Sequence, residues 1–524
     1  MYNEITLDID LKDNNKLEMT YSNTISQEHI KKFGQYFTDE RIAEFMVKWA
    51  CKDAKNALDP AVGNSIFLKK IMENYENCIL EGYEIDKKIL DFFGNPAKAN
   101  IHNSDYLTND WDKKYDAIVC NPPYNKFQSI DNRKEIIEKI FNNTGIRFSS
   151  YSNLYIYFLL KSIYQLSTQG KLAYIIPTEF LNSKYGEQIK EILIEKRLIN
   201  AIINFENDSE LFYNATTTSC ILLLDKSIKN EIKFYNLKAI DDLNILNEEL
   251  SSEMYCIKVK YESIRAKEKW RCYLKHENNN SSNRYKNIKK ISEFCSVKRG
   301  IATGDNAFFC LSKSKMEKYK IPIQSVSNCI CKSADISNPI FQKSDFDTLK
   351  EKDKTVFLLD INENEEEMIK DYISIGIKEG VNKKYLPANR KKWYMMEKKD
   401  IAPIWVSSAC RDQIKFIRNL TNSKSLTTFH SIFVNKNHEK DTDLIFCYFL
   451  TPIAQSLIND NRKELGNGLN KFQPNDLNSA NMLDLDIITK EDKQNILNIY
   501  SDMKRAYNYN QIEKINDIIA KYVK

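Results

Sequence analysis

The chain has 524 residues, 42% of them hydrophobic and 28% charged, a globular profile with enough apolar content for more than one core. Its 77 Lys and Arg against 72 Asp and Glu leave a formal charge of +5, which excludes a histone-like polycation and an acidic disordered tail, so any nucleic-acid surface must be a local basic face. The 12 cysteines form no CxxC pair and the 5 histidines lie away from any cysteine cluster, so no metal ligand set is legible and reduced thiols in a cytoplasm are expected.

Residues 1–24 read as an N-terminal extension without the basic and apolar regions of a signal peptide, and no later run approaches a membrane span. From Ala57 to about Lys226, short apolar runs alternate with amphipathic stretches, which is an α/β pattern. The predicted strands are Asn56–Leu58, Cys78–Glu84, Ala117–Cys120, Leu172–Ile176, Leu198–Asn204 and Ser219–Leu224, with helical periods such as Ile66–Asn74 and Leu154–Leu166 between them. Strands that end at Asp59, Glu84 and Asn121 predict a mostly parallel sheet with functional residues at its carboxyl edge. The pattern dissolves near residue 240. Residues 241–283 are the expected linker, ending in the polar run His276–Asn283, and 284–524 form a second, α+β domain with a helical end from Lys490.

The most informative element is Asn121-Pro122-Pro123-Tyr124, directly after the apolar run Tyr115–Cys120. Asn-Pro is turn chemistry, and a strand-ending turn accounts for it in part. A second account gives every residue a task. An exocyclic aromatic amine is a poor nucleophile because its lone pair is delocalised into the ring. Two acceptors, the Asn121 side-chain oxygen and the Pro122 carbonyl, can take both amine hydrogens and turn the lone pair toward a methyl donor. The prolines hold those acceptors in place, and Tyr124 offers a face on which an extruded base stacks.

With this loop the chain resembles amino-group methyltransferases that use S-adenosylmethionine, and in motif order the gamma class of adenine-N6 DNA methyltransferases typified by the TaqI and Eco57I enzymes. The resemblance covers roughly Gly34 to Lys226 and, more thinly, the C-terminal half. It implies a Rossmann-like catalytic domain over 25–240, a target-recognition domain over 284–524, double-stranded DNA as substrate, base flipping, and a separately encoded restriction endonuclease as partner. Phe33-Gly34-Gln35-Tyr36-Phe37-Thr38 is similar to the family's N-terminal cofactor motif, which assigns Tyr36 and Thr38 to the cofactor; Thr38 or Asp39 equally suits the cap of the helix that follows. Leu58–Leu68 resembles the cofactor loop and assigns Asp59, Ala61 and Gly63, although Ser65 stands where the family usually has a second glycine.

Glu84, 21 residues after Gly63, corresponds to the carboxylate that accepts both ribose hydroxyls, with Ile85 beside it; Asp86 suits a helix cap better. In Asn103–Leu107 the resemblance gives Asp105 the cofactor's adenine amine and Tyr106 a packing role on its ring. Asn121 and Pro123 complete the cofactor wall, and Phe212 supplies a second aromatic for the flipped base. The helix Leu154–Leu160 and the strand Gly170–Pro177 read as walls formed by core packing.

In the C-terminal half, Val297–Phe309 looks like the opening of the recognition region, with Arg299 and Thr303 as candidate DNA contacts, though a plain hairpin fits it too. Between Lys378 and Lys399, eight basic residues face two acidic ones, with Trp393 and Tyr394 interleaved; Lys383, Lys384, Arg390, Lys391, Lys392 and Trp393 are the candidate contacts. Glu397-Lys398-Lys399 offers a nuclease-like E-x-K without a framing strand, so no cleavage activity is expected. Three alternatives share these features: cytosine-N4 methylation, glutamine methylation of a protein, and a catalytically inactive DNA-binding subunit. Serine or threonine is usual at position 121 in the first, the second class is much shorter, and intact Asn121, Glu84 and Asp105 oppose the third.

Overall fold

A computed structural model describes residues 14–127, 130–148, 152–206, 218–246, 250–274, 285–361, 363–410, 413–459, 463–465 and 469–523. The chain divides into two compact units, residues 1–278 and most of 279–524. Among the described residues no helix is long and apolar enough to cross a membrane.

The first unit opens with helices α1 (Asn14–Thr24), α2 (Gln27–Phe33) and α3 (Glu40–Cys51). Strands β1 (Asn56–Asp59), β2 (Ile79–Tyr83), β3 (Ala99–His102), β4 (Tyr115–Cys120), β5 (Leu166–Pro177), β6 (Ile199–Phe205), β7 (Ser219–Asp225), β8 (Glu231–Leu237) and β9 (Cys256–Lys260) form one sheet in the order β3-β2-β1-β4-β5-β7-β6-β8-β9. Pairing is parallel from β3 through β5 and between β6 and β8, while β7 runs antiparallel to both neighbours and β9 antiparallel to β8. All six strands expected from the sequence are present, and the sheet is mostly parallel as expected.

Apolar runs buried on both sides make this a two-faced sheet. Along β4, Ala117 and Val119 pack into one core with α3 and α4 (Ile66–Asn74), while Ile118 and Cys120 pack into the other with α6 (Arg133–Thr144) and α7 (Leu154–Gln165). In α3, Ile42, Ala43, Met46, Val47 and Ala50 bury one stripe at helical spacing, and Asp39 caps the helix by accepting from the Arg41 N–H at 2.8 Å. In α7 almost the whole helix is buried, including Lys161.

Residues 250–274 differ from the linker expected over 241–283. They add β9 to the sheet edge and bury Trp270 and Leu274 against the core, because Tyr261, Ile264 and Trp270 supply apolar area that the polar composition of the stretch obscures. The extension over 1–24 is likewise part of the fold from Asn14 on: Tyr21 is fully buried, packed edge-on against Phe37 and Phe92.

The second unit is α+β. A five-stranded sheet runs in the order Cys295–Arg299, Phe429–Val434, Ile404–Ser407, Phe416–Asn419, Ile340–Phe341, and a four-stranded sheet in the order Cys310–Leu311, Phe357–Leu359, Val326–Ile330, Lys424–Ser425. Helices Lys490–Arg505 and Tyr509–Ala520 share a core with the five-stranded sheet, entering it through Ile496, Tyr500, Ile512, Ile515 and Ile519.

Candidate active site

Strand order reverses between β1 and β4, and open α/β sheets leave a crevice for ligands at the carboxyl ends of such a pair. There the first unit holds a cavity of ≈ 350 Å³, within the range of about 300–1,000 Å³ common for small-molecule sites. It is lined by residues from each of the motifs assigned to the cofactor: Tyr36 and Thr38, Ala61 and Gly63, Glu84 and Ile85, Asp105 and Tyr106, Asn121 and Pro123.

The loop after β1 closes the first wall. Its backbone is pinned by the Val62 N–H donating to Tyr83 O at 3.0 Å, and Gly63 takes φ +52°. Ser65 also sits in the left-handed region, at φ +65°, fully buried. The loop therefore turns through a left-handed residue that carries a side chain, at the steric cost a Cβ has there. Asp59 stands apart from the cofactor role expected of it. It does not line the cavity; its Oδ1 accepts from the Ala61 N–H at 3.1 Å, its Oδ2 is buried without a partner, and burial pushes its carboxyl up to about 8.

Glu84 directly follows β2 with each oxygen already oriented: Oε2 accepts from the Gly63 N–H at 3.0 Å and Oε1 from the Asp86 N–H at 2.8 Å. Burial raises its pKa, opposed by these N–H groups. Asp86 caps helix α5 (Lys87–Phe93) through the Lys88 N–H and accepts Gln35 Nε2 at 2.7 Å, so Glu84 is left to the cavity. Asp105 accepts from the Leu107 N–H and from Asn132 Nδ2, both at 2.9 Å, beside Ile130, Leu154 and Phe158 on the cavity wall. Sequence reasoning missed Asn132, and it left Leu154 and Phe158 to core packing. The helix pattern gives no sign that α7, buried along almost its whole length, turns Leu154 and Phe158 to a cavity.

At the other end, the Asn121 amide donates to Tyr36 O at 2.8 Å and to Thr38 Oγ1 at 3.1 Å. Both N–H groups are thereby used, and Oδ1 is the atom left to accept. Asp39 takes the helix cap, which frees the Thr38 hydroxyl for this bond. The main contribution of Tyr36 and Thr38 visible in the structure is thus to orient Asn121. Pro122 is buried and lies off the cavity. Tyr124 also lies off the cavity lining: its ring stacks on Tyr36 at 6.1 Å and 22°, its hydroxyl donates to Ile175 O at 3.2 Å, and burial raises its pKa. Phe212 lies outside the described residues. A separate trio, Glu81, His102 and Asp110, could ligate a metal, but the Lys113 ammonium already pairs with both carboxylates.

In the second unit the two segments singled out for DNA meet. Arg390 donates to Ala302 O at 2.8 Å and Thr303 O at 2.7 Å, Lys384 pairs with Asp305 at 2.6 Å, and a side chain at Gly304 would collide with Pro387. Several candidate contacts are consequently spent inside the protein. Thr303 is buried and donates to Asn306 Oδ1, Lys392 pairs with Glu366, and Trp393 packs on Phe308 at 5.4 Å. Glu397 accepts from the Ala302 N–H and pairs with Lys399, a structural use of the E-x-K. Arg299, Lys383 and Lys391 remain exposed.

Compared with known proteins, the profile of the N-6 DNA Methylase family matches residues 20–298, more than half of the chain. The chain belongs to the N-6 DNA methylase family. A second profile, the C-terminal domain of Type II methyltransferase M.Eco57I, matches residues 267–523. Type II methyltransferase M.AccI of Acinetobacter calcoaceticus is 39% identical over 520 residues, 96% of each chain. M.HincII of Haemophilus influenzae is 32% identical over 221 residues, 41% of this chain and 39% of that protein. Among solved structures, that of the Type IIL restriction-modification enzyme MmeI in complex with DNA shares the fold, with a TM-score of 0.56, 13% identity, and coverage of 97% of this chain and 73% of that one.

This N-6 DNA methylase is a DNA methyltransferase that depends on S-adenosylmethionine. The cavity suits that cofactor. It offers carboxylates for a ribose and an exocyclic amine, apolar walls for a flat ring, and an acceptor near Asn121 at the far end.

Proposed function

We propose that the enzyme methylates the N6 amine of adenine in double-stranded DNA, flipping the base into the space beside Asn121. The observation that carries this is the fixed amide of Asn121: with both N–H groups engaged by Tyr36 and Thr38, only its carbonyl can meet an incoming amine. Asn121 Oδ1 and the Pro122 carbonyl take the two amine hydrogens, and the paired prolines keep both acceptors in place before the substrate arrives. S-adenosylmethionine, when bound, supplies an electrophilic methyl group. Glu84 accepts from the ribose, Asp105 from the adenine amine, and Ile85 and Tyr106 pack on the ring. Tyr124, with Phe212, holds the flipped base by stacking. No side chain needs a shifted pKa for the attack itself.

The first unit carries this chemistry, and the second, which matches an Eco57I-type C-terminal domain, carries DNA affinity and sequence choice. The setting is a cytoplasmic restriction-modification system with its endonuclease encoded separately. Mass spectrometry of nucleosides from DNA treated with the enzyme is the test. N6-methyladenine is expected; 4-methylcytosine would overturn the substrate base, and a methylated glutamine would overturn DNA as the acceptor.

A further inference from the structure

Helix α7 carries a lysine where its pattern calls for an apolar residue. Lys161 follows the run Leu154–Leu160 and has no exposed surface. A buried ammonium normally sits on a carboxylate, since desolvation is costly. The hydrogen bonds of Lys161 go instead to two backbone carbonyls, Tyr106 O and Asn109 O, the two ends of the short turn after β3. Its Nζ also lies 4.1 Å from the centroid of the Tyr106 ring and 5.0 Å from that of Trp111.

That turn begins at Asp105, which accepts from the Leu107 N–H through its carboxylate and from Asn109 Nδ2 through its carbonyl, both at 2.9 Å; Lys139 holds the Thr108 carbonyl and Trp111 Nε1 the Leu107 carbonyl, and Lys161 takes the carbonyls of Tyr106 and Asn109. Asp105, Tyr106 and Leu107 line the cavity; Lys161, which does not line it, holds the carbonyls at the two ends of the turn. The same helix sends Leu154 and Phe158 into the cavity. The Tyr106 hydroxyl is fixed by Ser162 Oγ at 2.9 Å and Gln165 Oε1 at 2.7 Å, so α7 sets this side chain at both ends.

We propose that Lys161 is a positioning residue for the adenine end of the cofactor cavity, clamping the Tyr106–Asn109 turn and polarising the Tyr106 ring. This rests on the reading of Asp105 and Tyr106 as the adenine-binding pair. Burial lowers the Lys161 pKa to about 7, opposed by Asp110 and Asp105 and reinforced by Lys139 and Lys113. A purely structural position would be filled more cheaply by leucine or methionine, whose methylenes fit the same apolar helix. The ammonium earns its place through the carbonyls and the ring it holds.

The probe is 5′-methylthioadenosine, which carries the adenine and ribose of the cofactor without its amino-acid part. Its dissociation constant is measured by calorimetry, alongside hydrogen exchange of the ligand-free turn. Lys161→Met should weaken binding about tenfold and speed exchange at Leu107, Thr108 and Asn109, with kcat at saturating cofactor within about twofold of wild type. Lys161→Arg keeps a cation and N–H donors and should stay within about threefold of wild type. Binding by Lys161→Met within twofold of wild type would overturn the assignment. So would a tenfold loss in a cooperatively melting Lys161→Arg chain, or a Lys161→Met chain that does not fold, which would make the residue structural. Asp105→Ala separates the two claims. If it binds the probe as wild type does, the reading of the adenine end fails; if it binds weakly while Lys161→Met does not, only the role of Lys161 fails.

Discussion

Thr38→Val isolates the orientation of Asn121 from its chemistry. The substitution keeps volume at a buried position but deletes Oγ1, which accepts from Asn121 Nδ2 at 3.1 Å; the bond from the same amide to Tyr36 O at 2.8 Å survives. One of two hydrogen bonds holding the carbonyl toward the cavity is lost, a net effect of about 0.5–1.5 kcal/mol. If that is felt only when the amine reacts, the single-turnover rate at saturating cofactor and DNA should fall by roughly two- to twelvefold. Asn121→Ala, which removes the acceptor itself, should cost about 100- to 1,000-fold. Thr38→Ser restores the hydroxyl and should recover most of the rate. The reasoning is refuted if Thr38→Val matches wild type, if Thr38→Ser is as impaired as Thr38→Val, or if Asn121→Ala keeps a tenth of the wild-type rate.

Asp59 is pushed up to about 8 by burial, so the folded chain holds a proton there that the unfolded chain releases near pH 4. Its contribution to stability must therefore fall as pH rises from about 4 to 8; Asp59→Asn should flatten the profile by on the order of a few kcal/mol, and urea melts in which the difference from wild type is constant with pH would contradict this. Lys383→Ala with Lys391→Ala should weaken binding to all sequences alike and lower the slope of log affinity against log salt by about 0.9 per lost phosphate contact, whereas an unchanged slope would make these residues a solvated face. Arg390→Ala should instead lower stability by about 2 kcal/mol, since its guanidinium holds the Ala302 and Thr303 carbonyls, and a melting temperature equal to wild type would argue against that role. Tyr124→Ala should reduce stacking on a flipped 2-aminopurine by about 1–3 kcal/mol, with Phe212→Ala weaker in the same direction; identical fluorescence in all three proteins would count against both.

The sequence by itself determined six of the nine strands of the sheet, because a strand buried on both faces must be written as an apolar run; the partly exposed strands β3, β8 and β9 carry no such run and were not legible. It also determined the position of the site, since Asn121-Pro122-Pro123-Tyr124, Glu84 and Asp105 all follow strands whose carboxyl ends share one edge. What only the tertiary structure decided is which partner each polar group takes. Thr38 and Asp39 could each cap a helix, and the choice fell to the Asp39 carboxylate because the Asn121 amide, 83 residues away from Thr38, donates to the Thr38 hydroxyl oxygen. Arg390 and Lys384 look like phosphate ligands in a charged run, yet they close onto a loop more than 70 residues upstream. Lys161 gives no local sign that two carbonyls of a distant turn await it. Apolar burial is written locally, residue by residue, whereas the satisfaction of a hydrogen bond depends on which distant groups the completed fold brings within about 3 Å.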